Sequence, residues 1–357
     1  MIKILHSADW HLDAPLTGHS PENAELLRSQ LRKIPEKLTA LAIAEKCDLV
    51  LLSGDLFDGA YNQETLRIVQ KALSDLALPV MITPGNHDFI RPDSPYLQPG
   101  WPDNVHIFKE QKIESLVLPE LSCKIYGAGY TAMDCPALLQ DFQAVGDETW
   151  HIGIFHAEAD TSRSAYCPIS KEQIRGSALS YLALGHIHKS GSLRAGETLC
   201  AWPGCPMGKG YDELGTKGVL LVTLDQDVLT DFVPLDTIRF YDENVEAGLN
   251  AQEALSSVLP SLPTEDFYRI TLTGYSAALD LKQLSAAFSH ISNLTLRDET
   301  RPEMDLWSAV GEDSLEGVYF SLLQQATQSE SKILQGNAQL AARISRQILD
   351  GQEVKLP

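Results

Sequence analysis

The sequence has few positive charges for its length. Its 357 residues include 28 Lys and Arg against 48 Asp and Glu, which gives a formal net charge of -20. This balance argues against a protein that holds nucleic acid on a broad basic surface. Bound metal ions and a local basic patch could still attract nucleic acid, so a nucleic-acid-binding protein is not excluded.

Long hydrophobic runs and cysteine motifs are also absent. No apolar run approaches the ~18 residues that a membrane span needs. The N-terminal segment "MIKILHSADWHL" has no signal-peptide pattern, and the six cysteines include no C-x-x-C pair. Together these absences predict reduced thiols in a cytoplasmic protein that does not bind membranes. No internal repeat or low-complexity segment is present.

The first half of the chain alternates strand and helix patterns. Three apolar strand segments, "IKILHSAD", "CDLVLLSGD" and "LPVMITPGN", are separated by helical stretches, the first of which is bent near Pro35. This βαβαβ pattern predicts an α/β fold in which a sheet carries helices on both faces. Short strands with turns between them follow from about residue 105.

Three regions are predicted along the chain. Residues 1–245 form the main domain, and residues 246–300 read as helix, strand, helix and strand, a small α/β unit. Residues 301–311 are a connector, and two helical patterns follow in residues 312–357. In the second of these helices Leu340, Ile344 and Ile348 repeat at i, i+4 and i+8, which predicts an apolar face.

Polar side chains follow five apolar strands of the main domain. In open α/β sheets, ligands bind at the edge where the strands end, so these side chains are candidate ligands. They are Asp9 and His11, Asp55 and Asp58, Asn86, His87 and Asp88, His156, and His186 and His188. In an extended strand, residues i and i+2 point to the same side, which places the imidazoles of His186 and His188 next to each other. The other histidines, His6, His19, His106, His151 and His290, are expected to be structural.

These residue types predict a dinuclear metal site. Carboxylate and amide oxygens and imidazole nitrogens suit Mn, Fe, Zn or Mg, and the absence of cysteine argues against a structural zinc site. One carboxylate can bridge two ions, and two ions roughly 3.5–4 Å apart can grip a phosphate and activate a water. Gly54, Gly85 and Gly185 precede Asp55, Asn86 and His186 and allow tight turns there.

The ordered motifs D-x-H, G-D-x-x-D, G-N-H-D, a lone His and G-H-x-H resemble the calcineurin-like metallophosphoesterase superfamily. The segments "HSADWHLDAPLTG", "GDLFD", "GNHD", "ALGHIHK" and "WPGCPMGKGYDELGTKG" are most similar to its DNA-repair exonuclease branch, the SbcD type with its YhaO-like bacterial members. The likeness covers about residues 1–245. It implies a layered core of β-sheets flanked by helices, with a small α/β cap and C-terminal helices.

The resemblance also implies a role for each site residue. One ion would be held by Asp9, His11, Asp55 and His188, and the other by Asp55, Asn86, His156 and His186, with Asp55 bridging. His87 would protonate the leaving oxygen, and Asp58 would either orient that imidazole and raise its pKa or cap its own loop. Asp88 is expected to support its loop. The cofactor would be two divalent ions, Mn²⁺ first, with Mg²⁺, Fe and Zn²⁺ left open.

The implied function is a metal-dependent phosphodiesterase, a DNA exonuclease or endonuclease acting in DNA repair. An SbcC-like coiled-coil ATPase would bind the C-terminal helices, although the apolar stripe of the last helix could instead pack on the protein's own domain. A homodimer is left open. The acidic composition favours an alternative, a phosphoesterase for a cyclic nucleotide or a phosphomonoester. A non-catalytic regulatory subunit is disfavoured, because every ligand position of the superfamily is filled.

Overall fold

The structure is a computed structural model that describes residues 1–302, 304–351 and 354. It consists of two compact units, Met1–Tyr241 and Asp242–Pro357. No helix within the described part of the chain is long and apolar enough to cross a membrane. The separation of residues 246–300 from residues 301–357 as a distinct cap stays a prediction.

Unit 1 alternates strands and helices in its first half and is mostly β in its second. Its elements are β1 (Ile2–Ser7), α1 (Pro21–Leu31), α2 (Ile34–Ala44), β2 (Leu49–Leu52), α3 (Gln63–Ser74), β3 (Val80–Ile82), β4 (Val105–Ile107), β5 (Glu114–Leu118), β6 (Cys123–Gly127), β7 (Trp150–His156), α4 (Lys171–Gly176), β8 (Tyr181–Gly185), β9 (Gly191–Ala195), β10 (Thr198–Trp202), β11 (Gly218–Leu224) and β12 (Val228–Pro234).

The strands of unit 1 form two six-stranded sheets. The first has the order β12-β11-β1-β2-β3-β4, in which β1 to β4 are parallel and β11 and β12 are antiparallel additions. The second has the order β5-β6-β7-β8-β10-β9, in which β6, β7, β8 and β10 are parallel. β11 and β12 form a hairpin that is connected by residues 225–227.

The two sheets pack face to face around one apolar core. Ile4 and Leu51 of the first sheet share this core with Ile125, Ile154 and Ala183 of the second. Side chains alternate along a strand, so the neighbours of Ile4 in β1 face the other way. The sequence predicted helices on both faces of one sheet. That prediction is wrong for the first sheet, because the second sheet covers one of its faces.

Local sequence features explain where the first helices of unit 1 break and begin. The break between α1 and α2 lies just before Pro35, the second residue of α2, whose ring fits the first turn of a helix but not the middle. The side chain of Asn62 accepts a hydrogen bond from the N–H of Glu64 and caps α3. Leu66 and Val69 are buried on one face of that helix.

Unit 2 follows the predicted order of helix, strand, helix and strand, and then two helices. Its elements are β13 (Phe240–Glu246), which begins at the end of unit 1, α5 (Ala251–Val258), β14 (Thr264–Thr273), β15 (Tyr275–Ser276), α6 (Leu281–Ala287), β16 (Ile291–Asp298), β17 (Arg301–Pro302), α7 (Leu315–Ala326) and α8 (Lys332–Leu349). β13, β14 and β16 form one sheet, and β15 pairs with β17. α7 and α8 pack on each other through the buried side chains of Phe320 and Ala342.

Candidate metal centre

The predicted ligands follow strands of two different sheets. Asp9, Asp55 and Asn86 come after β1, β2 and β3 of the first sheet, whereas His156 ends β7 and His186 follows β8 of the second. Since the two sheets pack face to face, the ends of these strands meet at one place. The packing of the two sheets therefore brings together side chains that are distant in the chain, such as His11 and His188, which are 177 residues apart.

The backbone at several of these positions is held in the left-handed region. The φ angles are 55° at Asp9, 48° at His11, 52° at Asp55 and 89° at His186. A non-glycine residue seldom adopts such angles, and each costs on the order of 1–3 kcal/mol. Backbone strain of this kind is concentrated at binding and catalytic sites, where the orientation of a side chain is worth the energetic cost.

Of the three glycines predicted to allow tight turns, Gly85 and Gly185 are required for a different reason. Gly54 has a φ of 95°, as a tight turn requires. Gly85 and Gly185 do not have positive φ; instead, a Cβ atom at Gly85 would collide with the carboxylate of Asp55, and one at Gly185 would collide with the carbonyl oxygen of Ser53. Close approach between chain segments therefore requires glycine at these two positions.

One group of donor atoms consists of Asp9, His11 and His188. The Nε2 atoms of His11 and His188 lie 3.0 Å apart, and the Nε2 atom of His188 lies 4.0 Å from Oδ1 of Asp9. Nδ1 of His188 donates a hydrogen bond to Glu213, so the lone pair of its Nε2 is free to face the group. Two imidazole nitrogens that face each other at this distance need a proton or a metal ion between them.

A second group consists of Asp9, Asp55 and His156. Nδ1 of His156 donates to the carbonyl oxygen of Ser53 at 2.9 Å, which directs its Nε2 at the group. Nε2 lies 2.9 Å from Oδ1 of Asn86 and 3.3 Å from Oδ2 of Asp55. Asp9 belongs to both groups, and the same Asp55 oxygen is 3.8 Å from Nε2 of His11, so Asp55 also approaches the first group.

The two central carboxylates are buried without a lysine or arginine partner within the described residues. Asp9 accepts from the N–H of His186, and Asp55 accepts from the N–H of His87 at 2.9 Å. Burial raises the pKa of Asp9. Burial would lower the pKa of His156, but Asp55 and Asp9 outweigh it and raise that pKa to about 9. Buried carboxylates of this kind need a compensating positive charge.

His186 lies at the edge of this arrangement. Its ring centroid is 5.2 Å from that of His156 and 4.7 Å from that of Tyr166. Burial lowers its pKa to about 4, so the imidazole is neutral at physiological pH and able to bind a metal. His186 belongs to neither donor group. Within the described residues, its ring nitrogens are not among the donor atoms that lie within 4.8 Å of one another.

His87 and Asp58 form an adjacent pair. Nδ1 of His87 lies 2.7 Å from Oδ1 of Asp58, and this hydrogen bond raises the pKa of the half-exposed imidazole. Oδ2 of Asp58 also lies 3.6 Å from Nδ1 of His11, a buried nitrogen without a hydrogen-bond partner in the described residues. Asp58 thus contacts the histidine predicted as an acid and lies close to one predicted as a ligand.

Asp88 supports its loop, as the sequence analysis expected. Its Oδ2 accepts from the N–H groups of Leu56 and Phe57 and from the hydroxyl of Tyr96, and its Oδ1 accepts from the N–H of Gly85. Burial raises the pKa of this carboxyl to about 6. With these donors around it, the Asp88 carboxylate holds together the two loops that carry Asp55 and Asn86.

Glu213 is a site residue that the sequence analysis missed. Its buried carboxylate accepts from Nδ1 of His188 and from the N–H of Lys209 at 2.7 Å. Burial would raise its pKa, but the bond to His188 lowers it to about 2, so Glu213 is ionised. Carboxylates that accept from a ligand histidine fix its tautomer and orientation. The only sequence signal was its place in the segment "GYDELGTKG", which carries no ligand pattern of its own.

Most of the remaining histidines have structural partners. His6 is fully buried between the Tyr181 hydroxyl and Ser53 Oγ, each 2.8 Å from one ring nitrogen. His19 and His290 bond backbone carbonyl oxygens, and His151 lies 3.2 Å from the Tyr126 hydroxyl. Their expected structural role agrees with these contacts. The N and O donors of the two groups described above suit divalent ions, and two further groups, His11 with Asp58 and His87 and His188 with Cys205 and Glu213, adjoin them.

Known proteins resemble this chain. Residues 2–190 match the family model for calcineurin-like phosphoesterase. The chain is 32% identical over 238 residues to metallophosphoesterase YhaO of Bacillus subtilis (strain 168), an alignment that covers 62% of this chain and 57% of that protein. Over 93 residues it is 34% identical to the SbcD component of nuclease SbcCD from Rhodobacter capsulatus, covering 24% of this chain and 22% of that component. The chain thus spans less than two thirds of either relative.

Two solved structures are also similar. One is TT1561 of Thermus thermophilus, with 14% identity, a TM-score of 0.39 and coverage of 65% of this chain and 98% of that chain. The other is a dimetal phosphatase from Danio rerio, with 12% identity, a TM-score of 0.42 and coverage of 64% of this chain and 98% of that chain.

Proposed function

Because the chain belongs to the calcineurin-like phosphoesterase family, we propose that it is a metal-dependent phosphodiesterase that cleaves DNA at or near its ends. The observation that carries the chemistry is a pair of buried carboxylates, Asp9 and Asp55, that approach the histidines of both donor groups, with the His87–Asp58 pair beside them. Carboxylate and imidazole donors fit divalent ions, and phosphodiester hydrolysis is the chemistry that paired ions serve.

The residues would divide between two ions. One set is Asp9, His11, Asp55 and His188, and the other is Asp55, Asn86, His156 and His186. When bound, the ions supply Lewis acidity toward the phosphate and an activated water. The donor set combines carboxylate and amide oxygens with imidazole nitrogens and contains no thiol, and we infer Mn²⁺ first, with Mg²⁺, Fe and Zn²⁺ also compatible. His186 takes its place in the second set because it lies beside His156 and its imidazole is neutral.

His87 would protonate the leaving oxygen. Its ring is half exposed beside the donor groups, so a substrate can reach it, and Asp58 holds Nδ1 so that Nε2 points away from the carboxylate. Because the bond to Asp58 raises the pKa of the imidazole, more of His87 carries the proton that it has to donate. Asp58 acts through this histidine and is therefore a positioning residue.

Nucleic acid as the substrate rests on the SbcD component of nuclease SbcCD, whereas DNA repair rests on the motif resemblance described under the sequence. The alignment with the nuclease component is short, and the alignment with YhaO reaches further along the chain. Exonuclease and endonuclease action are both compatible with the site, which is half open around His87. The net charge of -20 means that the attraction for DNA would come from bound ions and a local patch.

The C-terminal helices would bind an SbcC-like coiled-coil ATPase. Leu315, Val318 and Leu322 lie at i, i+3 and i+7 of α7 and are all exposed. On α8, Ile348 is 61% exposed, although Leu340 and Ile344 are partly buried. Exposed apolar stripes on a helical pair suit a helical partner.

One observation favours a second candidate, a phosphoesterase for a small substrate such as a cyclic nucleotide. The chain has 20 more acidic than basic residues, and a small anion needs fewer cationic contacts than a duplex does. The two candidates share the site and differ only in the substrate.

A side-by-side assay separates them. Metal-loaded protein is given duplex DNA, single-stranded DNA, bis(p-nitrophenyl) phosphate and a cyclic nucleotide with Mn²⁺, and Asp55→Asn serves as the inactive control. The DNA proposal expects cleavage of at least one DNA substrate by the wild type and none by the control. Turnover of the small esters alone would leave the small-substrate candidate, and no turnover of any substrate would refute both.

A further inference from the structure

A cavity of about 550 Å³ in unit 1 adjoins the candidate metal centre. It is lined by His188 and extends along residues that have no part in the metal groups, among them Lys189, Tyr211, Lys217 and Phe232. Its volume falls in the range of about 300–1,000 Å³ that is typical of ligand pockets. His188 therefore borders both the first donor group and this cavity.

Lys217 is the most informative residue of the cavity. The residue is only 8% exposed, which buries its aliphatic stem, and it makes no ion pair or side-chain hydrogen bond within residues 1–302, 304–351 and 354. An ammonium group in such a setting is costly unless water or an anion solvates it. Lys189 lines the same cavity, is exposed, and likewise has no ion pair in that part of the chain.

The acidic residues of the lining do not cancel these charges. Glu213 is already engaged by His188 and by the N–H of Lys209, and the ammonium of Lys209 lies 3.7 Å from it. Asp212 is exposed, where water screens its charge. In a chain of net charge -20, a cavity with two lysines free to bind an anion is a local exception.

We propose that this cavity binds the part of a nucleic-acid strand next to the scissile linkage, with Lys217 and Lys189 contacting a neighbouring phosphate. The inference rests on the proposed phosphodiesterase function and adds where the strand lies. Lysine binds phosphate as a point charge, and Tyr211 and Phe232 supply aromatic surface against which a base or sugar can pack. The site thus distinguishes a strand with several phosphates from an isolated phosphate ester.

The test measures binding, so that it does not depend on turnover. Metal-loaded protein is titrated against a short fluorescein-labelled oligothymidylate with phosphorothioate linkages, which resist cleavage, and anisotropy is followed at several salt concentrations. Lys217→Met keeps the buried stem and removes the charge. The dissociation constant should rise roughly tenfold or more, the scale of a charge-assisted hydrogen bond. The slope of log affinity against log salt should fall by about 0.7, the value for one phosphate contact to a single strand.

Lys71→Met is the matched control, because Lys71 is an exposed lysine on α3 that pairs with Asp75. It removes the same charge elsewhere and should change neither quantity. The inference is overturned if Lys217→Met leaves affinity and slope unchanged, if affinity falls without a change in slope, or if Lys71→Met has an equal effect. Failure of the wild type to bind the strand also overturns it, while hydrolysis of a small diester would still support the phosphodiesterase. Should Lys217→Met fail to fold, Lys189→Met carries the same test.

Discussion

The buried carboxylate of Glu213 accepts a hydrogen bond from Nδ1 of His188 and leaves Nε2 of that ring directed at His11 and Asp9. If His188 binds a metal, this bond fixes both its tautomer and its orientation. Glu213→Gln retains the shape but offers a neutral amide in place of the carboxylate.

We expect Glu213→Gln to weaken metal affinity by about 10- to 100-fold, the scale reported for partners of ligand histidines. Competition with a chelating dye measures this directly. Glu25→Gln is the control, because Glu25 forms only exposed ion pairs with Arg28 and Arg32. Unchanged metal affinity in Glu213→Gln, with an unaltered melting temperature, would show that the bond does not act on the metal site.

Asp55 should be the most sensitive ligand. The proposed division assigns Asp55 to both ions, and its carboxylate lies 3.3 Å from His156 and 3.8 Å from His11, so Asp55→Ala should lose most of the bound metal as well as activity. His11→Ala removes a donor from one group only and should retain part of the metal. Elemental analysis of the purified variants measures the bound metal. Two equivalents of metal still bound to Asp55→Ala would contradict the bridging role of Asp55.

His87→Ala should keep its metal and lose rate, by about 10²–10⁴-fold for a substrate with a poor leaving group. The loss should be small for a p-nitrophenyl ester, whose leaving group needs no proton. Asp58→Asn should show the same dependence on leaving group, because it acts through His87. An equal loss with both kinds of substrate argues against proton transfer by His87.

The burial of His6 should make the free energy of unfolding depend on pH. Burial lowers its pKa to about 3 from 6.5, so the folded protein keeps it neutral between Tyr181 and Ser53. The unfolded chain binds the proton below about pH 6.5 and the folded chain does not, so acid favours unfolding. The contribution of His6 should therefore lower the free energy of unfolding by about 1.4 kcal/mol for each pH unit as the pH falls from 6 to 4.

Urea unfolding of the wild type and of His6→Gln at several pH values measures the effect. The variant lacks the titrating imidazole. Its free energy of unfolding should therefore change with pH less steeply than that of the wild type, by about 1.4 kcal/mol per pH unit. This difference in slope does not depend on the stability of the variant at neutral pH. Equal slopes for the two proteins would refute the assignment.

The last helix packs on its neighbour through one face and exposes another. Ala342 is fully buried against α7, and Arg346 pairs with Glu316 at 2.7 Å. Deletion of residues 332–357 would therefore uncover Phe320 and destabilise unit 2, whether or not a partner binds. A sharper test is Ile348→Ser with Leu349→Ser, two exposed positions.

This double variant should keep the wild-type melting temperature and lose co-purification with a coiled-coil ATPase. Ala342→Asp is the contrasting variant, and it should unfold unit 2 because it buries an unpaired charge. Retained co-purification of the double variant would count against this face as the binding surface.

Much of the local structure follows from the sequence. Alternating apolar strands and helical stretches predicted the elements in the first half of unit 1, and the predicted α/β class is confirmed. The polar residues at strand ends were found because short motifs mark them. These features depend on residues close together in the chain, where hydrogen bonds and hydrophobic periodicity decide the outcome.

Only the tertiary structure decided how those segments combine. The sequence by itself does not show that β7 and β8 belong to a second sheet, yet this pairing places His156 against Asp55 and His188 against His11. It also does not show that Glu213 contacts His188 or which face of α8 is buried. Such contacts join distant segments, and they form because two apolar sheet faces are removed from water together, a requirement that no local pattern records.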